Sequence, residues 1–167
     1  MRPTLIGLGL VLAAFTVTER GMGQDEGIAV GGVAPVVSVP DLDGNAVNLG
    51  QYVGKQPVFI EFWATWCPIC EEMLPRVHAA RARYGDRVAF LGINVAVNQT
   101  RARVRRYLAE HPLPFQVLYD EEGVSTRAYS APSTSYVVIV DAAGKIAYTG
   151  VGADQKFEDA LARVTRP

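Results

Sequence analysis

The stretch VFIEFWATWCPICEEMLP, residues 58–75, holds both cysteines of the 167-residue chain, Cys67 and Cys70, with two residues between them. Those sulfurs could close a structural bridge, hold a metal or carry out redox chemistry. A bridge across so short a loop restricts the unfolded chain far less than a long-range one, so it is a poor stabilising device. A closed zinc site needs four ligands. Beyond the cysteines the chain offers only His78 and His111, neither at finger-like spacing. His78 falls two turns past Cys70 and reads as a partly exposed structural residue.

Redox chemistry accounts for more of the local sequence. PVFIEFWAT, residues 57–65, is near-continuously apolar, the pattern of a strand buried on both faces of a parallel sheet. Residues 68–84 have helical composition, so Cys67 falls where strand gives way to helix. Unpaired backbone N–H groups and the positive end of the helix dipole favour a thiolate there. Pro68 suits the first helical turn, because its missing N–H would be unpaired in any case. Cys70, one turn in, is expected to be shielded from solvent and able to reach back to Cys67. Cys67 is then the attacking thiolate and Cys70 the resolving one, joined in the oxidised state as a Cys67–Cys70 disulfide.

Glu61 interrupts the buried strand. By strand alternation it shares a face with Phe59 and Trp63. A carboxyl enclosed there has a raised pKa and is poised to accept or release a proton; the alternative is a solvent-lined face with Glu61 exposed.

Length and composition agree with one globular domain: 49% apolar and 20% charged residues, too large to need disulfide staples. The formal charge of −1 gives no general electrostatic reason to expect nucleic acid as a partner. The N-terminus differs from the rest, with Arg2 followed by a thirteen-residue apolar run from Leu5 to Val17 and small residues Gly21 and Gly23. Residues 1–23 read as a secretory signal peptide. The run is short for a membrane span, which needs about 20 residues; an uncleaved N-terminal anchor is the alternative. Either way the domain is placed outside the cytoplasm, in the periplasm or another extracytoplasmic space, where a cysteine pair can oxidise.

Residues 24–34, QDEGIAVGGVA, are Gly-rich and read as a flexible lead-in, with the domain proper at 35–167. VSVPDLDGNAVNL predicts two short strands around Asp43-Gly44. Leu74, Val77 and Ala80/Arg81 mark the inner side of the first helix, and RVAFLGINVAV the next buried strand. QTRARVRRYLAEH is an amphipathic helix with Val104 and Leu108 inward. FQVLYD is short and extended, and EEGVSTRAYS a short helix or turn. SYVVIVDAAGKIAYTGV forms a hairpin around Ala143-Gly144. A last helix follows, with Asp154 at its N-cap and Phe157, Leu161 and Val164 inward. This order implies an α/β fold with a central mixed sheet flanked by helices and an N-terminal β extension. Arg76, Arg81, Arg83 and Arg87, then Arg101, Arg103, Arg105 and Arg106, read as the solvated faces of two helices; docking of an acidic partner is the alternative.

The segment FWATWCPIC, preceded by an acid, resembles the active-site segment of thioredoxin-fold proteins. With PDLDGNAVNLGQYVGKQPVFIEFWATWCPIC (40–70), INVAVNQTRARVRRYLAEHPLPFQVLYDEEG (93–123) and YVVIVDAAGKI (136–146), the chain from about Val33 onward resembles the exported TlpA/ResA/CcmG branch, related to the AhpC/TSA redoxins. The resemblance covers roughly four-fifths of the chain. It implies a thioredoxin fold and a redox-active WCPIC motif. Glu61, six residues before Cys67, matches the buried acid that manages the resolving cysteine's proton through water. Pro75 matches the helix-kinking proline, and Trp66 the tryptophan beside the active site, with Pro68 and Ile69 tuning the potential.

Two departures stand out. Many relatives have a Glu three residues after the second cysteine, where this chain has Met73, so that residue's part in partner selection is not carried over. The position of the cis-proline that faces the cysteines falls on Ser135, with Pro132 the alternative if the loop is longer. A trans bond is expected before Ser135, since a non-proline cis bond costs about 2.5–4 kcal/mol. Thr134 and Ser135 are the implied substrate-docking loop. A serine there could slow mixed-disulfide release or open the sulfurs to metal.

The resemblance implies an exported, monomeric thiol–disulfide oxidoreductase without organic cofactor or resident metal. Its partners are cysteine-containing envelope proteins, such as an apocytochrome c, and a membrane or periplasmic dithiol donor. A thiol oxidase would share these residues, since direction depends on potential and partner. Peroxiredoxins carry a Thr-x-x-Cys site that is absent here. Copper chaperones of this fold, the non-enzyme alternative, use C-x-x-x-C and a distant histidine.

Overall fold

The computed structural model describes residues 27–166; the expected signal peptide at 1–23 lies outside the described residues. Among the described residues no helix is long and apolar enough to cross a membrane.

The first hairpin, β1 (Ser38–Pro40) and β2 (Ala46–Asn48), is followed by a single 3-10 turn. Then come β3 (Val58–Trp63), α1 (Pro68–Tyr84), β4 (Ala89–Asn94), α2 (Arg101–Glu110), β5 (Gln116–Tyr119), α3 (Val124–Ala128), β6 (Tyr136–Val140), β7 (Ile146–Gly150) and α4 (Phe157–Val164). The main sheet has the order β5-β4-β3-β6-β7. β3 pairs in parallel with β4 and antiparallel with β6, so it sits at the centre, and every one of its six residues is buried. This is the thioredoxin-like fold anticipated for the chain.

Alternation along β3 divides the core. Val58, Ile60 and Phe62 join Val39, Leu49, Tyr129 and Val138 under the N-terminal hairpin and α3. Phe59 faces α1 and α4, stacking on Phe90 at 5.0 Å between centroids and meeting Phe157 edge-on at 5.6 Å. Trp63 faces the cysteines and α2. The buried stripe of α1 is Cys70, Met73, Val77, Ala80 and Tyr84. Met73 takes the fully buried place expected of Leu74, which is only half-buried. In α4, Phe157, Ala160 and Leu161 are buried, and Val164 is half-buried.

Three other expectations change. The Gly-rich segment read as a flexible lead-in is docked: Gly31 and Ala34 N–H donate to the Ile146 and Gly144 carbonyls at 2.8 Å, and Ile146 N–H returns a bond to Gly32. The Ile28 N–H also donates to the Tyr136 hydroxyl, which lies where a side chain on Gly27 would stand. The segment thus covers the β7 edge, while Asp41 bridges Leu118 on the opposite edge strand. Unpaired sheet edges invite association, and this extension meets both.

Asp154 is not the cap of α4. The helix begins at Phe157 after Lys156, because Gln155 turns inward and is buried.

The arginines are not all solvated. Arg76 forks onto Glu158 at 2.6 Å, donates to the Gln155 and Ala153 carbonyls and covers the Phe157 ring. Arg101 reaches Glu121 and the Asp41 carbonyl, and Arg105 reaches Asp43 and the Leu42 carbonyl. Both tie α2 to the N-terminal hairpin. A helix-surface guanidinium with a carbonyl or carboxylate in reach covers apolar surface as well as pairing its charge.

Candidate active site

β3 ends at Trp63, and four residues later the chain reaches Cys67, the N-cap of α1. Cys67 has extended backbone angles, and its sulfur accepts a hydrogen bond from Cys70 N–H at 3.1 Å. An N-cap side chain normally satisfies such an orphan donor with oxygen. Here the sulfur does so, at the end of the helix that favours negative charge. Cys67 and Cys70 are joined as a disulfide, and Pro68 occupies the first turn. Pro75 lies inside α1, where its ring nitrogen cannot bond to the Glu71 carbonyl.

Cys70 is shielded as expected, 9% exposed, and in this disulfide form Cys67 is equally enclosed at 3%. Both belong to the cluster of Trp63, Ala64, Val104 and Tyr119. Apolar side chains stand open beside them, Trp66 and Ile69, each 43% exposed, and Val97, with Glu71 and Glu72 exposed on the helix just after Cys70. Trp66 is held by its indole N–H, which donates to the Val97 carbonyl at 2.8 Å.

Glu61 is buried, 2% exposed, and burial alone pushes its carboxyl up to about 8, with no hydrogen bond or cation among the causes. It lines a narrow cleft together with Trp63, Cys70, Glu71, Leu74, Tyr107, Leu113 and Phe115. The cleft has room for water of about 10 Å³, the threshold for a single molecule. Trp63 Nε1, on the same wall, is a buried donor without a partner. At the rim the Tyr107 hydroxyl donates to Glu71 Oε1 at a long 3.4 Å. Burial first, then the charge of Glu71, holds the Tyr107 phenol above its ordinary value.

The other wall of the site is the loop entering β6. Tyr136 pairs with Phe62, so Ser135 lies beside the end of β3. No peptide bond among the described residues is cis. Ser135 has a left-handed φ of 60° and is buried, so it does not present its backbone to a partner; Thr134 is half-buried and Pro132 exposed. Its conformation is held by Gln155, whose Nε2 donates to the Ser135 and Gly152 carbonyls at 2.8 Å and to Met73 Sδ at 3.2 Å. The Ser135 hydroxyl in turn accepts from Gly152 N–H. Ala96 and Asn98 also have positive φ, on either side of the residue that holds Trp66. Strained backbone of this kind gathers at functional sites. His78 is exposed on α1, away from the buried stripe.

Tyr107 and Gln155 thus join the site without having been singled out from the sequence, and Trp63, read there only as a neighbour of Glu61 on the strand face, lines the same cleft. Tyr107 follows Val104 by three residues on the inner side of α2, and a polar-headed aromatic there was its only signal.

The family model described as Redoxin matches residues 29–164. The thiol-disulfide oxidoreductase ResA of Bacillus cereus is 26% identical over 153 residues, covering 90% of this chain and 87% of that protein. The thioredoxin-like protein YneN of Bacillus subtilis is 30% identical over 136 residues, covering 81% and 79%. Among solved structures, a Chlorobium tepidum protein assigned as the thiol:disulfide interchange protein DsbE superposes with a TM-score of 0.70 at 26% identity, covering 81% of this chain and 94% of that one. A cysteine pair at the cap of α1, in this fold and with these relatives, places the chain in the redoxin family as a thiol–disulfide oxidoreductase of the ResA/DsbE type.

Proposed function

We propose that the protein is exported and reduces disulfides of envelope proteins through Cys67 and Cys70. The observation that carries this reading is the shared cleft: an unpartnered, buried acid and the second cysteine line the same narrow space. In the reduced protein the Cys67 thiolate attacks one sulfur of a partner disulfide. The partner's S–S bond breaks, a Cys67–partner bond forms, and the partner's other sulfur leaves as thiolate. Cys70 then gives its proton through a water to Glu61 in its ionised form, the minority species below pH 8. The resulting thiolate attacks Cys67 Sγ, closing the Cys67–Cys70 bond and releasing the partner's second sulfur. Two electrons have moved to the partner, and a dithiol donor at the membrane or in the periplasm restores the pair. An acid with a pKa near 8 is well matched to a thiol of about 8.5.

Export rests on the apolar N-terminal run, and an apocytochrome c is one substrate of suitable chemistry. Thr134, half-buried at the mouth of the Ser135 loop, is the backbone available for docking. Trp66, Pro68 and Ile69 form the face presented around the sulfurs.

The deciding measurement is the reduction potential of the Cys67/Cys70 pair by equilibration with glutathione or dithiothreitol. A value near or below about −230 mV supports the reductant. A value near about −120 mV makes the protein an oxidant of envelope thiols and overturns the direction. A pair that does not cycle removes the redox reading altogether.

A further inference from the structure

The four arginines of α2 divide by helical face. Arg101 and Arg105, four residues apart, turn to the N-terminal hairpin and are engaged there. Arg103 and Arg106 are exposed, and the ion pairs found among the described residues include neither. Both line an open groove of about 480 Å³ that runs along α2 past Thr100, Tyr107 and Glu110 and reaches Thr65. Thr65 lies two residues before Cys67, so the groove ends close in the chain to the reactive cysteine.

The polar groups at the cysteine end of this groove are unmatched. The Thr65 hydroxyl is buried without a partner. Gln99, next to Thr100, accepts from Thr65 N–H through Oε1 at 3.2 Å, which orients its amide and leaves Nε2 buried without an acceptor. Unsatisfied buried polar atoms are few in native proteins and call for an explanation. Thr65 shares the groove with two guanidinium groups that form no ion pair among the described residues, with Glu110 also on its lining and the N-terminus of a ten-residue helix at Thr100. The guanidinium groups and the helix N-terminus favour an anion.

We infer that this groove binds an acidic segment of the partner protein, with a carboxylate in the extended chain that flanks the partner's reactive cysteine. Arg103 and Arg106 pair with it, and Thr65 marks the end of the groove nearer the cysteines in the chain. The groove thereby selects among disulfides by the charge of their flanks, which the chemistry at Cys67 does not. The inference rests on Cys67 being the attacking sulfur.

The test compares two peptides, each closed by one internal disulfide, with Asp and Glu flanking the cysteines in one and Asn and Gln in the other. The full-length protein, reduced beforehand, is assayed for kcat/KM on both. At low ionic strength the acidic peptide should be favoured about tenfold, the scale of two partly exposed charge contacts. In the double variant Arg103→Glu with Arg106→Glu the ratio should fall to one or below. Arg103→Gln with Arg106→Gln should lie between, and 1 M salt should remove the preference from the native protein. A ratio near one in the native protein, or one that survives both double variants, overturns the inference while leaving the redox reading in place. Failure to reduce either peptide overturns both.

Discussion

Glu61 and Asp120 are two carboxyls buried to the same degree, 2% exposed, near the same end of the sheet. Asp120, just past β5, is saturated with donors: the Ser125 N–H and hydroxyl and the Thr126 N–H and hydroxyl all point at it, three of them within 2.8 Å. It organises the start of α3. Glu61 has burial as the only cause acting on it and faces a cleft with room for about one water. Burial alone therefore does not mark a functional acid. In the proposed reading, what marks Glu61 is burial without partners, beside a cysteine that must exchange a proton.

The largest effect expected of this contrast is in stability against pH. The folded-state pKa of Glu61, about 8, lies above the ordinary carboxyl value of 4.5, so between those values the folded protein holds a proton that the unfolded chain has released. Stability contributed by the protonated form is complete below pH 4.5 and falls as pH rises towards 8. The loss is of the order of 5 kcal/mol over that window. Glu61→Gln should flatten it, so that the variant is the more stable protein at pH 8 in urea melts. Parallel stability–pH curves for the two proteins would show that Glu61 is not held neutral.

Asp120→Ala should do the reverse. With four donors orphaned it should destabilise the protein by about 3 kcal/mol at neutral pH. The rate of disulfide exchange per folded molecule should stay within about twofold of the native value, far less than the tenfold that 1.4 kcal/mol represents. A large loss of rate in the folded variant would erase the distinction between the two acids.

Gln155→Leu removes the amide that holds Ser135, Gly152 and Met73. It should cost about 1–2 kcal/mol of stability and raise KM for protein disulfides more than it lowers kcat, because the loop beside the sulfurs loosens. A change confined to kcat would place Gln155 in the chemistry instead.

The smallest effect belongs to Arg105→Ala. Its bond to Asp43 is half-exposed, so less than about 1 kcal/mol is expected, and that part should vanish in high salt.

The sequence was most legible where chemistry and chain position coincide. Glu61, Cys67, Pro68 and Cys70 lie within ten residues, and a buried strand running into a helix was enough to assign their setting. The hairpins and the order of the layers were legible for a related reason, since turn residues and periodicity are local. The rest depends on contacts that no local pattern encodes. Gln155 meets Met73 across 82 residues, and Tyr107 meets Glu71 across 36. The same distance hid the docking of residues 28–34 on β7 and the division of the arginines, because Arg103 and Arg105 look alike until the neighbouring hairpin is in place. Asp154 was a sound cap by composition, but the inward turn of Gln155 delayed the helix.

The central claim is that Glu61 takes the proton of Cys70 during resolution. Its most direct test is the rate at which Cys70 displaces a model thiol from Cys67, followed against pH in the native protein and in Glu61→Gln. The account predicts that the variant is slower by about tenfold or more at pH 7, within the range of a general base. The gap should close towards pH 10, where Cys70 ionises without help. Equal rates for the two proteins at pH 7 would contradict it.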